Sequence, residues 1–176
     1  SASANMNNRL SEAIVEAYKS TNGAPISFEL MLKCYQSRMK DANNDDSISS
    51  VLKQLVNAHI FESEDKVSLI DDSYIIKMDG YPKDGPIAKA IVYFLMSKLN
   101  NIYELLDKQA VNDEVVQIRH FSIIDEAHYM LDFDNRPLRN LIAVGRNKGL
   151  SIILATQNMS SFKSKGFDFY ANAQYP

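Results

Sequence analysis

Two apolar runs of the chain each end in polar residues that could do chemistry. The first run, Phe-Ser-Ile-Ile, leads into Asp125 and Glu126, and the second, Leu-Ser-Ile-Ile-Leu-Ala, leads into Thr156 and Gln157. A short, nearly continuous β-branched run is typical of a buried parallel strand. The catalytic groups of an open α/β sheet lie at the carboxyl ends of its strands. The sequence therefore predicts that these four residues meet at one edge of a parallel sheet.

The two runs resemble the Walker B strand and the following sensor strand of a P-loop NTPase. The resemblance implies that Asp125 binds Mg²⁺ through water and that Glu126 is the catalytic base for the attacking water. It also implies that Thr156 contacts the nucleotide and that Gln157 senses its γ-phosphate. No G-x-x-x-x-G-K-[ST] motif occurs in the chain. We therefore expect a fragment whose Walker A loop lies upstream in a longer parent, and which is inactive alone because nothing cradles the β- and γ-phosphates.

A more specific resemblance begins at Gly145-Arg-Asn-Lys-Gly149, which is followed by the run ending in Ala-Thr-Gln. This block is similar to the G-R-K-x-G and A-T-Q pattern of the HerA/FtsK superfamily, the ring-forming ATPases that pump DNA. The resemblance covers residues 73–170, and residues 121–157 are its most specific part. It implies ATP and Mg²⁺ as cofactors, DNA as a partner of the parent protein, and a homo-oligomeric, hexameric ring.

The resemblance also assigns roles to basic residues. Arg146 resembles an arginine that stabilises transition-state charge, reaching a neighbouring subunit's nucleotide. The alternative is a helix-end arginine that binds last-turn carbonyls. Asn147 stands where the family often has lysine, which leaves the role of Lys148 open. Lys163 and Lys165 either line a central DNA channel or belong to an ordinary surface loop.

Several functional alternatives stay open. Within the superfamily the chain most resembles the HerA-type ATPases of bacterial phosphorothioation-dependent DNA restriction (the DptH/DndH type), which implies defence against foreign DNA and partner restriction subunits. A conjugation or secretion ATPase is the nearest rival, and an inactive scaffold that binds partners is the third reading. The box ending in His128 also resembles DEAH helicases, but those usually carry Ser-Ala-Thr after the next strand. We expect His128 to pack or hydrogen-bond below the site.

The segment 6–70 is predicted to form three helices and a hairpin. The first helix runs from about Asn7 to Ser20, Ser27 caps the second, and a polar loop precedes the third. The hairpin comprises the alternating runs 59–62 and 66–70. This order resembles a winged helix, although a plain helical insertion has the same pattern. The third helix carries few basic residues, which favours a lid or a protein-contact role over DNA reading.

The segment 71–176 is predicted to form the C-terminal half of a RecA-like core. Strands and helices alternate along it: strand 73–79, a helix of about 20 residues opening at Pro86, strand 115–124, a helix capped by Asp134 or Asn135 with Pro137 in its first turn and ended by Gly149, and strand 150–156. Such alternation predicts an α/β fold with a mostly parallel sheet and right-handed crossovers.

Composition bounds the class of protein. The chain has 176 residues, 45% of them hydrophobic, which fits one domain with an appendage. The single cysteine, Cys34, provides no disulfide framework and indicates a reducing compartment. We find no secretory signal and no transmembrane segment, and residues 1–5 look like a cloning remnant, so we expect a cytoplasmic protein without membrane partners.

Charge is unevenly distributed along the chain. Residues 41–79 hold nine acids against three bases, whereas residues 134–176 hold six bases against two acids. The basic stretch either forms an ordinary solvated face or contacts the phosphates of a nucleotide or a nucleic acid.

Overall fold

The protein divides into two compact units. In the computed structural model, unit 1 spans Ser1–Asp65 and unit 2 spans Lys66–Pro176. The residues that the structure describes are 3–41, 44–59, 68–112, 115–157, 159–164 and 167–169.

Unit 1 contains the three predicted helices, α1 (Ala4–Ser20), α2 (Phe28–Gln36) and α3 (Ser47–Asn57). Helix α1 begins three residues before the predicted start, because the Ser3 hydroxyl accepts a hydrogen bond from a first-turn backbone N–H. Ser27 caps α2 as predicted, accepting a hydrogen bond from the Leu30 backbone at 3.1 Å.

The helices of unit 1 are joined by a polar cluster around Asp46. Asp46 caps α3, the Tyr35 hydroxyl of α2 donates to its carboxylate at 2.6 Å, and Arg9 of α1 pairs with the same oxygen at 3.0 Å. The apolar core beside this cluster consists of small and medium side chains from all three helices: Ala13, Ala17, Cys34, Leu52 and Leu55. One carboxylate thus fixes the relative positions of three helices.

The predicted hairpin falls mostly outside the described residues. His59 lies in a turn, and residues 68–70, which belong to the predicted second run, form a turn and no strand. The remaining residues of the two runs, 60–62 and 66–67, lie outside the described part of the chain. The choice between a winged helix and a plain helical insertion therefore remains a prediction.

Unit 2 is a mixed α/β arrangement. Its described helices are α4 (Pro86–Leu105), α5 (His128–Leu131) and α6 (Arg136–Val144), and its described strands are β1 (Val111–Asn112), β2 (Val115–Val116), β3 (His120–Ile124), β4 (Leu150–Leu154), β5 (Lys163–Ser164) and β6 (Phe167–Asp168). Strands β3 and β4 pair in parallel, with His120 opposite Leu150 and Ile124 opposite Leu154. The pairs β1–β2 and β5–β6 are antiparallel. The prediction of a parallel pair is therefore confirmed for β3 and β4.

Two predicted strands differ from the structure. Residues 73–78 adopt no regular secondary structure, and the side chains of Tyr74, Ile75 and Ile76 are exposed. A strand is stabilised by pairing with a neighbour, and none of the described strands pairs with this segment. The prediction of strand 73–79 is therefore wrong.

The predicted strand 115–124 is broken in the middle. Its first two residues form β2 and turn back antiparallel on β1, whereas its last five form β3 and pair in parallel with β4. Residues 117–119, between the two pairings, are not in a strand. Strand β4 ends at Leu154, two residues before the predicted end.

The core of unit 2 lies between the helices and one face of the β3–β4 pair. Helix α4 opens at Pro86 and is 20 residues long, as predicted. Asn135, rather than Asp134, caps α6 by accepting a hydrogen bond from the Leu138 backbone at 3.2 Å. The buried cluster includes Met96, Leu99, Tyr103, Met130, Leu131, Leu138, Leu141 and Leu150.

The other face of the β3–β4 pair is uncovered. Phe121, Ile123 and Ile153 are 57%, 69% and 45% exposed, respectively. Strands of parallel sheets are ordinarily buried on both faces, so this apolar surface is unusual. Among the described residues, no helix has both the length and the apolar character that crossing a membrane requires.

Candidate functional site

The predicted site residues of the two runs lie at one edge of the β3–β4 pair. Because the strands are parallel and in register, their carboxyl ends are neighbours. Backbone hydrogen bonds extend the pairing of the two segments beyond the strands: Ala155 N donates to Ile124 O at 2.9 Å, and Ala127 N donates to Ala155 O at 2.8 Å. The segments that carry the carboxylate pair and the Thr-Gln pair are thus held side by side.

The carboxylate pair has an unusual backbone. Asp125 is exposed, and its Oδ1 accepts a hydrogen bond from the Glu126 backbone at 2.9 Å. Glu126 has φ +52°, in the left-handed region that side-chain-bearing residues rarely adopt. Such conformations cost on the order of 1–3 kcal/mol and cluster at active sites. The fold maintains a strained turn where the chemistry was predicted.

His128 takes part in this site more closely than the sequence predicts. It opens the short helix α5, and its Nδ1 lies 3.3 Å from the Glu126 Oε2 and 3.3 Å from the Thr156 Oγ1. The expectation that His128 hydrogen-bonds near the site is confirmed, but its contacts are with predicted site residues. The turn at Glu126, which brings residues 126 and 128 together, has no signature in the sequence.

Arg146 is placed at the opposite edge of the sheet. It lies in the 3-10 turn Arg146–Lys148, which directly precedes the amino end of β4. The length of β4, about 13 Å at ~3.3 Å per residue, separates this turn from Thr156 and Glu126. Arg146 is therefore not part of the Glu126 cluster within one chain.

Lys148 has a structural role that the sequence leaves open. Its Nζ donates to the carbonyl oxygens of Tyr103 at 2.6 Å and Glu104 at 3.0 Å. These are the last-turn carbonyls of α4, which lack partners within the helix. Lys148 therefore ties the turn that carries Arg146 to the end of α4.

The two glycines of the 145–149 block are also required by packing. Gly149 has φ +82°, and a Cβ there would lie 2.7 Å from the Gln117 carbonyl oxygen. A Cβ at Gly145 would lie 2.5 Å from the Leu141 carbonyl oxygen. The prediction that Gly149 ends the helix capped at Asn135 is wrong, because α6 stops at Val144 and Gly149 instead ends the 3-10 turn that follows.

The predicted DNA contacts fall largely outside the described structure. The backbone of Lys163 lies in β5, but its side chain is outside the described part, and Lys165 is outside the described residues. Their roles remain predictions.

The residues present fit one part of an ATP and Mg²⁺ site. Mg²⁺ is commonly held by one or two carboxylates together with water and substrate phosphates, and the exposed Asp125 provides such a carboxylate beside Glu126. Within the described ranges, no three His, Cys, Asp or Glu side chains form a metal-binding group, and a site of this kind needs none. The sequence contains no glycine-rich loop of the Walker A type that could bind the phosphates of ATP.

No protein-family model matches this chain, and no curated protein matches it in sequence. The functional interpretation therefore depends on the residues and geometry of the site.

Proposed function

We propose that this chain is the C-terminal half of a RecA-like ATPase core of the HerA/FtsK type, with a helical subdomain before it. The observation that carries the proposal is the parallel, in-register pairing of β3 and β4. This pairing sets the Asp125–Glu126 turn beside the Thr156–Gln157 segment, and Glu126 adopts a strained backbone conformation there. Strained backbone at a partly buried carboxylate is typical of active sites, which supports the proposal.

In this proposal each polar residue has a separate task. Mg²⁺ and ATP, when bound, supply the electrophilic γ-phosphoryl group. Asp125 would hold Mg²⁺ through water, and Glu126 would accept the proton of the attacking water. A carboxylate placed in this way contributes a factor of about 10²–10⁴ in rate as a general base. Thr156 would contact the nucleotide, and the Gln157 amide would sense its γ-phosphate.

The position of Arg146 supports an oligomeric assembly. Arg146 lies at the edge of the sheet remote from Glu126, so it would act on the nucleotide of a neighbouring subunit in a hexameric ring. An arginine supplied in this way is worth on the order of 10³–10⁵ in rate. Lys148 would hold the turn that presents it, through the carbonyls at the end of α4.

The uncovered apolar face supports a larger parent core. Phe121, Ile123 and Ile153 would be buried when further elements of the sheet and its covering helices are present, as in other parallel sheets. Among these elements we propose the strand and loop that bind the β- and γ-phosphates. We further propose a cytoplasmic parent that is stimulated by DNA, with Lys163 and Lys165 facing the DNA, and that serves phosphorothioation-dependent restriction with partner subunits.

The test is ATP turnover by the parent protein with and without duplex DNA, beside its Glu126→Gln variant. We expect DNA-stimulated hydrolysis, a decrease in kcat of at least about 100-fold in the variant, and retained nucleotide binding. Glu29→Gln, at an exposed position in α2, is the matched control and should hydrolyse ATP at the wild-type rate. The isolated chain should not hydrolyse ATP.

An inactive scaffold is the second candidate, because the sequence contains no glycine-rich phosphate loop. In that case the fold is kept for binding partners only. A parent that neither binds nor hydrolyses ATP under any DNA condition would establish this reading and exclude the first.

A further inference from the structure

Three polar side chains form a cluster at the carboxyl edge of β3 and β4: Glu126, His128 and Thr156. The Nδ1 atom of His128 lies at the centre, 3.3 Å from an oxygen of Glu126 and 3.3 Å from the hydroxyl of Thr156. The side chains of His128 and Glu126 are only 25% and 31% exposed. The proposed ATPase mechanism uses Glu126 and Thr156 but assigns no task to the histidine between them.

The chemistry of the three groups restricts how they can bond. A carboxylate only accepts hydrogen bonds, so Nδ1 can bond to Glu126 only when it carries a hydrogen. A hydroxyl both donates and accepts, so Thr156 can bond to Nδ1 with or without that hydrogen. The pairing with Glu126 therefore determines which nitrogen of the neutral imidazole carries the proton.

We propose that His128 is a positioning residue for Glu126. Its Nδ1–H holds the carboxylate in place above the strained turn and links it to the Thr156 hydroxyl at the end of β4. A ligand that bonds to Thr156 changes the partner available to the same nitrogen, and so changes how firmly Glu126 is held. This inference rests on the proposed ATPase function for its catalytic consequence, but not for its geometry.

The geometry can be tested in the chain itself by nitrogen-15 NMR of its imidazoles at pH ~8, above the ordinary histidine pKa of about 6.5. We expect the proton of His128 on Nδ1 in the wild-type chain. In Glu126→Leu, which removes the acceptor, the Thr156 hydroxyl remains as the partner of Nδ1 and can donate to it, so we expect the proton on Nε2. In Thr156→Val it should stay on Nδ1. The same tautomer in the wild type and in Glu126→Leu would overturn the proposal.

His120 is the internal reference for that measurement. It lies in β3, and burial lowers the pKa of its imidazole below 6.5. Its signals should be unchanged in both variants, because neither substitution is in contact with it in the described structure. The third histidine, His59, belongs to unit 1 and completes the assignment.

The catalytic consequence is tested in the parent protein with two substitutions of the histidine. His128→Leu should lower kcat about 10- to 100-fold, as is typical when an orienting partner is lost, with little change in KM. His128→Asn, whose amide can donate from near the Nδ1 position, should restore most of the rate. In a Glu126→Gln background, His128→Leu should have no further effect, since coupled residues are not additive.

The two tests separate the two proposals. A wild-type parent without ATPase activity would refute the proposed function, and the NMR result on the chain would still decide the His128–Glu126 geometry. An active parent whose kcat is unaffected by His128→Leu, or is not rescued by His128→Asn, would refute the positioning role while leaving the ATPase function standing.

Discussion

Unit 1 and unit 2 differ in how completely their side chains find packing partners within the same unit. In unit 1, one carboxylate, Asp46, is shared by three helices, and Tyr35 is fully buried between them. In unit 2, one face of the β3–β4 pair packs on helices, while Ile123 and Ile153 on the other face are exposed. The helices of unit 1 are therefore held together by contacts among themselves, whereas the sheet of unit 2 has a face that its described neighbours do not cover.

The largest difference between the units should appear when each is expressed alone. Residues 1–65, expressed alone, should be monomeric and helical and should unfold in a cooperative thermal transition followed by circular dichroism. Residues 66–176 should self-associate and bind the dye ANS, because exposed apolar surface drives both.

The intact chain is the control for that experiment. Its dye binding should be accounted for by the fragment 66–176 and should be nearly absent from the fragment 1–65. Strong dye binding by 1–65, or its failure to form helix, would show that the first unit is not self-sufficient and would remove the contrast.

Local and long-range features of the chain differ in how far the sequence predicts them. Several features that depend on a few neighbouring residues were predicted correctly: the cap at Ser27, a cap at Asp134 or Asn135 that the structure assigns to Asn135, and the helix opening at Pro86. These depend on local backbone chemistry. Segment 73–79 was predicted wrongly, because alternation and β-branching do not reveal whether a partner strand is available.

The candidate site shows the same limit. The two apolar runs predicted that Asp125 and Thr156 lie at the same edge of the sheet. The structure agrees, since parallel strands bring their carboxyl ends together. The contact of His128 with both Glu126 and Thr156 depends on a positive φ at Glu126, which the residue type does not favour. Pairing across the sheet also sets Arg146 at the remote edge, a relation that spacing along the chain does not express.

A second test compares the helix-covered core of unit 2 with the uncovered face of its sheet. Leu141 is 1% exposed in the core, whereas Ile123 is 69% exposed on the uncovered face. Leu141→Ala should lower the free energy of unfolding by about 2–5 kcal/mol, because it removes buried methyl groups and leaves a cavity. Ile123→Ala should change it by less than about 0.5 kcal/mol.

Urea unfolding followed by circular dichroism measures both variants, and hydrogen exchange assigns the affected transition to unit 2. A loss for Ile123→Ala as large as that for Leu141→Ala would mean that the face of Phe121 and Ile123 is covered in solution. In that case the contrast between the two units would not hold, because this apolar face of unit 2 would be buried.

A third test concerns the polar cluster around Asp46 in unit 1. Asp46→Ala removes the cap of α3 and the partner of Tyr35 and Arg9, and should cost about 2 kcal/mol. Asp46→Asn keeps a capping oxygen and should cost less. Asp45→Asn is the matched control: it changes an exposed carboxylate that pairs with Lys53, and its effect should be smaller still.

The charge of Asp46 should also make unit 1 sensitive to acid. Burial by itself raises the pKa of this carboxyl. Hydrogen bonds from the Ser49 backbone, the Tyr35 hydroxyl and the Ile48 backbone, together with the charge of Arg9, outweigh burial and hold the pKa below its ordinary value of 3.8. A lowered folded-state pKa stabilises the protein above pH 3.8, and that contribution is lost as the pH falls from 3.8 through the lowered pKa. Unfolding of residues 1–65 measured across this range should be steeper with pH in the wild type than in Asp46→Asn. Equal slopes would mean that the carboxylate joins the three helices through its capping oxygen alone, without any contribution from its charge.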